Sequence, residues 1–505
     1  MAATQTEEEV LLRFVVNQEK TQVLYAEAGK DFVDALFSLL TLPLGTIVRL
    51  FKEDSVAKSI EIGCLHSLYN SVVKLDEKCF STKACREMLL HPRRSAETYC
   101  NGMKLNIDDP TNYFLCQDYE CRTGRNSKPI LSTIRNRACS NCNKLLNYQV
   151  HLQEKSLGGE GHGFSNGKMT FIITDCLRVI PNSLVASLNL LKEFGIHDIR
   201  SVHKMSTAIT KEEVLDILFC SLTTKNCLTS FISSYCSMSS LISIFNPDLN
   251  SFTDCDVDDG EHINVKLIRK KSTGRILFAE GGEDFANFIL GFLAIPLGGV
   301  VRMLKGTSCV GNLDELYKSA VDLDKNYFLC KRKRVKKMIV DPQIAPHFTT
   351  KYHLLPINES PAKKYYFHEA CGRSDLVTTY HCTTDGVKRQ RCELMDFMDP
   401  KIPYEDGFVE GPRLYTVADD LSVKAMSSTS AMSMLVGEFD TPLSDLEEVE
   451  ASIGIMEGLN ILKASLLTGA ALTNGFSHLF SSQEEQVESD DENSISNTGV
   501  KLPDI

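Results

Sequence analysis

The sequence predicts an α+β protein built as two tandem homologous α+β lobes. Each lobe is expected to open with an N-terminal β-hairpin, continue in amphipathic helices and carry a cysteine-bearing ribbon insertion. Three observations predict this. Residues 26–50 (AEAGKDFVDALFSLLTLPLGTIVRL) recur as 279–303 (AEGGEDFANFILGFLAIPLGGVVRM), with 11 of 25 positions identical at an offset of 253. Residues 68–80 recur as 316–328, 7 of 13 at an offset of 248, and 211–229 recur more weakly as 455–473. The blocks keep their order while the offset drifts, as in a tandem copy with small insertions.

Within copy 1, residues 10–16 and 22–26 are β-rich runs around a polar turn, which reads as a hairpin. In copy 2 the runs are 263–268 and 275–279. A helix should follow, because Phe32, Val33, Leu36, Phe37, Leu39 and Leu40 recur with helical spacing. Asp31, or Asp284 in copy 2, is placed to accept hydrogen bonds from the first-turn amides. Pro43 and Gly45 end this helix, and Pro296 and Gly298 do so in copy 2. Residues 46–51 fit helix or strand, and 65–75 read as helix. Residues 169–174 read as a strand and 184–194 as an amphipathic helix. Thr210 and Glu213 form a T-x-x-E capping box before a last apolar helix; Gly454 and Glu457 hold the same places in copy 2. The expected division is a disordered N-terminus (1–9), copy 1 (10–232, ribbon-like at 113–148), a Ser/Asn/Asp-rich linker (233–260), copy 2 (261–480, degenerate ribbon at 363–396) and a disordered acidic tail (481–505).

The net charge of −12 resides mostly at the ends: residues 481–505 carry −6 and the first ten residues −3. The body is therefore near neutral, and the acidic total mostly reports solvated tails rather than an acidic binding surface. The opening MAATQTEEEV resembles neither a signal nor a transit peptide. Eighteen cysteines in that context imply a reducing compartment, where thiols stay free or bind metal. The expected location is the cytoplasm, with the nucleus as the alternative. Residues 285–301 hold no charge, but 17 residues interrupted by Pro296 suit a buried core better than a membrane.

Cys116-x4-Cys121 and Cys139-x2-Cys142, 17 residues apart, have the spacing of a zinc ribbon; free core or loop cysteines are the alternative. Four thiolates leave no open coordination position, so such a zinc would be structural. At an offset of 250, Cys121 falls on Cys371 and Cys142 on Cys392, whereas Cys116 falls on Tyr366 and Cys139 on Arg389. In copy 2, His368, His381 or Cys382 would have to replace the lost ligands. A catalytic metal would not tolerate that decay; a clip needed in one half would.

The run from Lys331 to Lys337 (KRKRVKK) fits either a phosphate-attracting or import segment or a solvated helix face. Arg122, Arg125, Lys128, Arg135, Arg137 and Lys144 surround the ribbon without aromatics interleaved among them for base stacking. An enzyme would have to use Asp175, Asp419, Asp420 and the His368/His381 region. Asp419 and Asp420 are adjacent, and neighbours in a strand point to opposite faces. The chain lacks a nucleophile elbow, an H-E-x-x-H helix, a phosphate loop and a dinucleotide fingerprint.

The repeated AEAGKDFVD–LPLGTIVRL block, the cysteine pairs, the TDCL and ADDLSV segments (174–177 and 418–423) and the KEEVLDIL helices resemble the plant-specific family termed domain of unknown function 674. The resemblance spans residues 10–480. It implies a duplicated plant protein and brings no established activity. The leading expectation is a non-enzymatic protein-interaction scaffold that meets an unknown protein partner and carries a structural zinc ribbon. The alternatives are an enzyme with a site between the lobes and a nucleic-acid-binding or nuclear protein acting through Lys331 to Lys337.

Overall fold

The computed structural model describes residues 8–480, apart from 18–21, 54–61, 126, 154–161, 237–259, 309, 330–332, 369–375, 382–391, 404–406 and 428–440. Nearly all of the expected disordered N-terminus (1–9), the acidic tail and most of the linker thus lie outside the described residues.

The first half opens with strands β1 (Val10–Asn17) and β2 (Gln22–Ala28). Helices α1 (Lys30–Leu39), α2 (Leu44–Glu53), α3 (Leu65–Lys74) and α4 (Lys83–Leu90) follow. The ribbon carries β3 (Tyr113–Cys116), β4 (Ile130–Leu131), β5 (Arg137–Ala138), β6 (Leu145–Val150) and β7 (Leu152–Gln153). Then come β8 (Phe171–Thr174), β9 (Val179–Pro181), α5 (Leu184–Glu193), β10 (Val202–Ile209), α6 (Lys211–Thr223) and α7 (Cys227–Cys236). The second half supplies β11 (Ile263–Lys270), β12 (Ile276–Gly281), α8 (Glu283–Gly291), α9 (Leu297–Met303), α10 (Gly311–Asp322) and α11 (Lys333–Val340). It continues with β13 (Tyr366–His368), β14 (Leu376–Thr378), β15 (Cys392–Leu394) and β16 (Asp396–Phe397). It ends with β17 (Tyr415–Ala418), β18 (Val423–Ala425), β19 (Leu446–Ile453), α12 (Ile455–Leu467) and α13 (Ala471–Gly475).

The architecture is α+β. Each half holds a five-stranded antiparallel sheet, ordered β10-β1-β2-β8-β9 in the first and β19-β11-β12-β17-β18 in the second. The two orders are the same when strands are matched along the chain. In β1, Leu12 and Phe14 are buried while Leu11 and Arg13 face outward, the period-2 pattern of a half-covered strand. All four residues of β8 are buried, because α5 covers its outer face through Leu190. Residues 46–51 belong to helix α2. Asp31 does not cap α1: Gly29 starts that helix with no side-chain bond, and Asp31 pairs with Lys104 at 2.8 Å. The Thr210–Glu213 capping box forms as expected, and Glu457 accepts from the Gly454 amide at 2.9 Å. The uncharged 285–301 stretch is α8, a short turn and α9, buried in the core. Among the described residues no helix is long and apolar enough to cross a membrane.

One hydrophobic cluster draws on both halves, and its centre is the repeated Pro-Leu-Gly segment meeting its own copy. The Leu44 amide donates to the Ile295 carbonyl (2.9 Å), the Leu297 amide to Leu42 (2.8 Å) and the Gly298 amide to Leu40 (2.7 Å), with Pro43 bridged to Pro296. The backbones approach so closely that a methyl group on Gly298 would lie 2.8 Å from the Leu40 carbonyl oxygen. On Gly45 it would lie 3.1 Å from that of Leu293.

Around this crossing each half reaches into the other. Helix α3 packs against β18 of the second sheet, and α10 packs against β9 of the first. The Val423 amide donates to Ser71 Oγ (2.8 Å), and the Val179 amide to Ser319 Oγ (2.9 Å). Phe80 bridges Val409, and Phe328 bridges Ser165. The loops so joined are held by one buried side chain each. Asp34 Oδ1 accepts from the Phe164 and Ser165 amides (3.0 and 2.6 Å), and Asn287 Oδ1 accepts from the Phe408 and Val409 amides (2.6 and 3.1 Å). Burial raises the Asp34 carboxyl, opposed by Lys30 and then by hydrogen bonds from Lys30 and Ser165.

Two predictions follow from this packing. Gly298→Ala should lower unfolding stability by about 1–3 kcal/mol in urea titration, whereas Gly291→Ala, which meets open space, should not. Asp34→Asn should fold as the native chain does, since Asn287 does the same work. Asp34→Ala strands two buried amides and should cost about 2–4 kcal/mol. The raised Asp34 carboxyl means that the folded state binds the extra proton. Its contribution to stability therefore falls as pH rises from the ordinary carboxylate range through the raised value, and Asp34→Asn should remove that fall from a pH series of melting curves.

Candidate metal centre

The four predicted cysteines converge. Cys116 ends β3, and Cys121 sits in a one-turn helix, Tyr119–Arg122, whose start is fixed by Asp118 accepting from the Cys121 amide (3.0 Å). Cys139 follows β5, and Cys142 lies in the turn before β6. That turn is tight: the Asn143 amide donates to the Cys139 carbonyl (2.8 Å), the Cys139 amide to Lys144 (2.8 Å), and Asn143 takes the left-handed conformation (φ 60°) that asparagine tolerates. Strands β3, β6 and β5 form the small sheet that presents both pairs on one side.

The Cys116 and Cys142 sulfurs are 3.4 Å apart, the Cys121 and Cys139 sulfurs 3.5 Å, and all four lie within 4.8 Å of one another. Tetrahedral thiolates at about 2.3 Å from zinc would sit about 3.8 Å apart, so the donors fit a tetrahedral ion. The Asp118 amide points at Cys116 Sγ (3.4 Å), the kind of outer contact that orients a ligand. All four thiols are free, and no disulfide forms among them. Burial pushes the Cys116 thiol up to about 11 and raises Cys121 further. Without an ion these sites hold protons, which a metal must displace. The apolar cluster at this site is small: Phe114, Ile130 and Leu146 with three of the cysteines.

The copy 2 ribbon is built differently. Cys371, Cys382 and Arg389 lie outside the described residues. His368 Nε2 is spent on Thr378 Oγ1 (2.8 Å) with Cys392 Sγ at 3.8 Å, and His381 stands edge-on to Tyr366. The two ribbons are stitched together: β7 adds to β14, and β16 pairs with β4.

The candidate catalytic acids are not brought together. Asp175 receives the Thr229 amide and hydroxyl (2.7 Å each) at the start of α7. Asp419 receives those of Thr473 (2.8 and 2.9 Å) at the start of α13. Asp420 closes a turn on Ser422. Burial raises both Asp175 and Asp419, against hydrogen bonds from Thr229 and Thr473 respectively. In the basic run, Lys331 and Arg332 lie outside the described residues. Lys336 bonds the Val321 and Leu323 carbonyls at the end of α10, and Lys337 pairs with Asp341. Aromatics do interleave with the ribbon cations: Arg122 lies over Tyr148 (4.2 Å) and Tyr119 (5.1 Å), and Arg125 over Tyr119.

Sequence reasoning missed a charged cleft of about 910 Å³ beside the ribbon, which none of those candidate acids and histidines lines. At its inner wall Arg49 and Arg94 share Asp108 (2.8 and 3.3 Å), and Arg93 meets Glu97 (3.6 Å). Arg94 uses only Nε for Asp108; its terminal nitrogens are buried without an acceptor oxygen, next to the Cys100 thiol. Burial raises the Asp108 carboxyl, opposed by Arg94 and Arg49. The signal was present as a departure from the repeat: Arg93, Arg94, Glu97 and Asp108 correspond to Gln343, Ile344, His347 and Asn358.

The fold is thus a mixed α+β scaffold with a four-cysteine site in one half. Residues 6–456 match the family model described as protein of unknown function (DUF674), and the chain belongs to that family. No curated protein and no solved structure matches it.

Arg94→Ile alone leaves a buried carboxylate short of a partner and should cost about 2–3 kcal/mol. Combining it with Asp108→Asn, the pair of residues copy 2 uses, should restore most of that loss. A double-mutant cycle by chemical unfolding checks the coupling.

Proposed function

We propose that this protein is a non-enzymatic interaction scaffold whose first ribbon is clamped by one structural zinc ion on Cys116, Cys121, Cys139 and Cys142. The observation that carries the reading is the convergence of four free thiols on one side of a small sheet, where the local apolar cluster is only Phe114, Ile130 and Leu146 with three of the cysteines. An all-thiolate site closes the coordination shell, so the metal stabilises and does not catalyse. The second ribbon lacks two of the four cysteines and leans on the first through β7 and β4, which supports a clip needed once. The acids that an enzyme would use are committed to the starts of α7 and α13, which supports a non-catalytic role. The partner is a protein, met in a reducing compartment such as the cytoplasm.

Elemental analysis of the purified chain should give about one zinc per molecule. Cys139→Ser should lower that content and the melting temperature together, and a chelator should do the same to the native chain. Capture from its own tissue should return a protein partner. Metal-free protein of undiminished stability would overturn the zinc, and reproducible turnover abolished by a single substitution would overturn the scaffold.

A further inference from the structure

The cleft beside the ribbon is assembled from both halves of the chain, and one stretch of its wall forms a continuous arc. Arg93 Nη2 donates to the Tyr113 hydroxyl (2.9 Å), with its guanidinium 5.6 Å from the ring centre. Tyr113 packs on Tyr365, Tyr365 stacks on Phe397, and Phe397 stacks on His347 with centroids 5.0 Å apart. His347 Nδ1 donates to the Asp399 carboxylate (2.7 Å). Arg137 closes the arc, donating to the backbone carbonyls of Asp399 (2.9 Å) and Ile402 (3.3 Å). Arg93, Arg137, His347 and Phe397 all line the cleft, and so does the exposed Arg135.

Most other cations of the cleft are matched: Arg49 and Arg94 by Asp108, and Lys83 and Arg86 by Glu77. Arg135 and Arg137 have no carboxylate within ion-pair distance among the described residues. Glu87 and Asp109 also line the cleft, so its charge is divided, and its unpaired cations are Arg135 and Arg137. Arg137 is held by two carbonyls and forms no ion pair among the described residues, although the Asp399 carboxylate lies near enough to oppose part of its charge. A fixed planar guanidinium with a second one near it in sequence is suited to the tetrahedral oxygens of a phosphate. An aromatic floor and a volume within the range of small-molecule sites complete a ligand pocket. The matching sequence positions in the second half hold Gln343 and Ile344 in place of Arg93 and Arg94.

We propose that this cleft binds a small phosphomonoester, its phosphate held by Arg137 and Arg135 and its remainder lying on the Phe397–His347 face. Because Arg135 and Arg137 lead into Cys139, the site rests on the ribbon being folded, which zinc content and melting temperature report separately from phosphate binding.

The test is calorimetric titration of the full chain at low ionic strength with glycerol 3-phosphate and inorganic phosphate, alongside glycerol and succinate. Both phosphates should bind saturably, glycerol should not bind, and succinate should bind at least tenfold more weakly than glycerol 3-phosphate. Arg137→Lys keeps the charge and loses the planar fork; it should weaken glycerol 3-phosphate at least fivefold. Arg135→Ala touches no core contact; it should leave the melting temperature unchanged and weaken binding severalfold. The proposal falls if neither phosphate saturates the protein, if succinate binds as tightly as glycerol 3-phosphate, or if Arg135→Ala binds as the native chain does.

Discussion

The structure depends on the place where the repeated Pro-Leu-Gly segment crosses its own copy. Three backbone hydrogen bonds join residues 40–44 to residues 295–298, and glycine on each side removes the side chain that would hold the backbones apart. Buried amides and carbonyls need partners, and here those partners come from the other half of the chain. Around the crossing, α3 and α10 each pack on the opposite sheet. The serine, loop and aromatic contacts that follow occur in reciprocal pairs because they are built around the same centre. The ribbons inherit the arrangement: each lends a two-residue strand to the other.

Local features were legible in the sequence. The hairpins, the apolar face of α1, the Thr210–Glu213 box and the cysteine spacing all depend on residues within one or two turns of each other. What was not legible is which distant residue each group meets. Asp34 reads as a lone charge in an apolar helix, and its task, to hold the 164–165 loop, lies 130 residues away. Asp175 and Asp419 read as free acids, yet both are spent on threonine groups 54 residues further along. Tyr148 on Arg122 was invisible for the same reason, since it reaches the one-turn helix from β6. A helix that fits either sheet carries no mark of its choice in its own residues.

The two halves diverge where function would be expected to act. Their sheets, crossings and loop clamps use equivalent positions, sometimes with different chemistry, as with Asp34 and Asn287. The cysteine cluster and the arginine-rich wall have no such equivalents among the described residues. Burying Arg94 with one carboxylate contact and a thiol beside its terminal nitrogens is costly, and the matching position in the second half holds Ile344. Departures of one half from the other therefore mark specialised places, a comparison available within a single chain. Both departures sit at the same end of the molecule, where Arg137 leads directly into Cys139.

The reciprocal placement of α3 and α10 bears on how such a chain could arise and be taken apart. A polypeptide holding either half alone would leave the edge strand of its sheet without the helix that packs on it, and one helix without a bed. Two such polypeptides could each provide what the other lacks, as in exchange-type dimers. Joining them end to end turns that encounter into an intramolecular one, for which the local concentration is set by the tether and no longer by abundance. Severing the connection between residues 236 and 260 would accordingly make assembly depend on how much protein is present, while the interior of the assembled pair stayed the same.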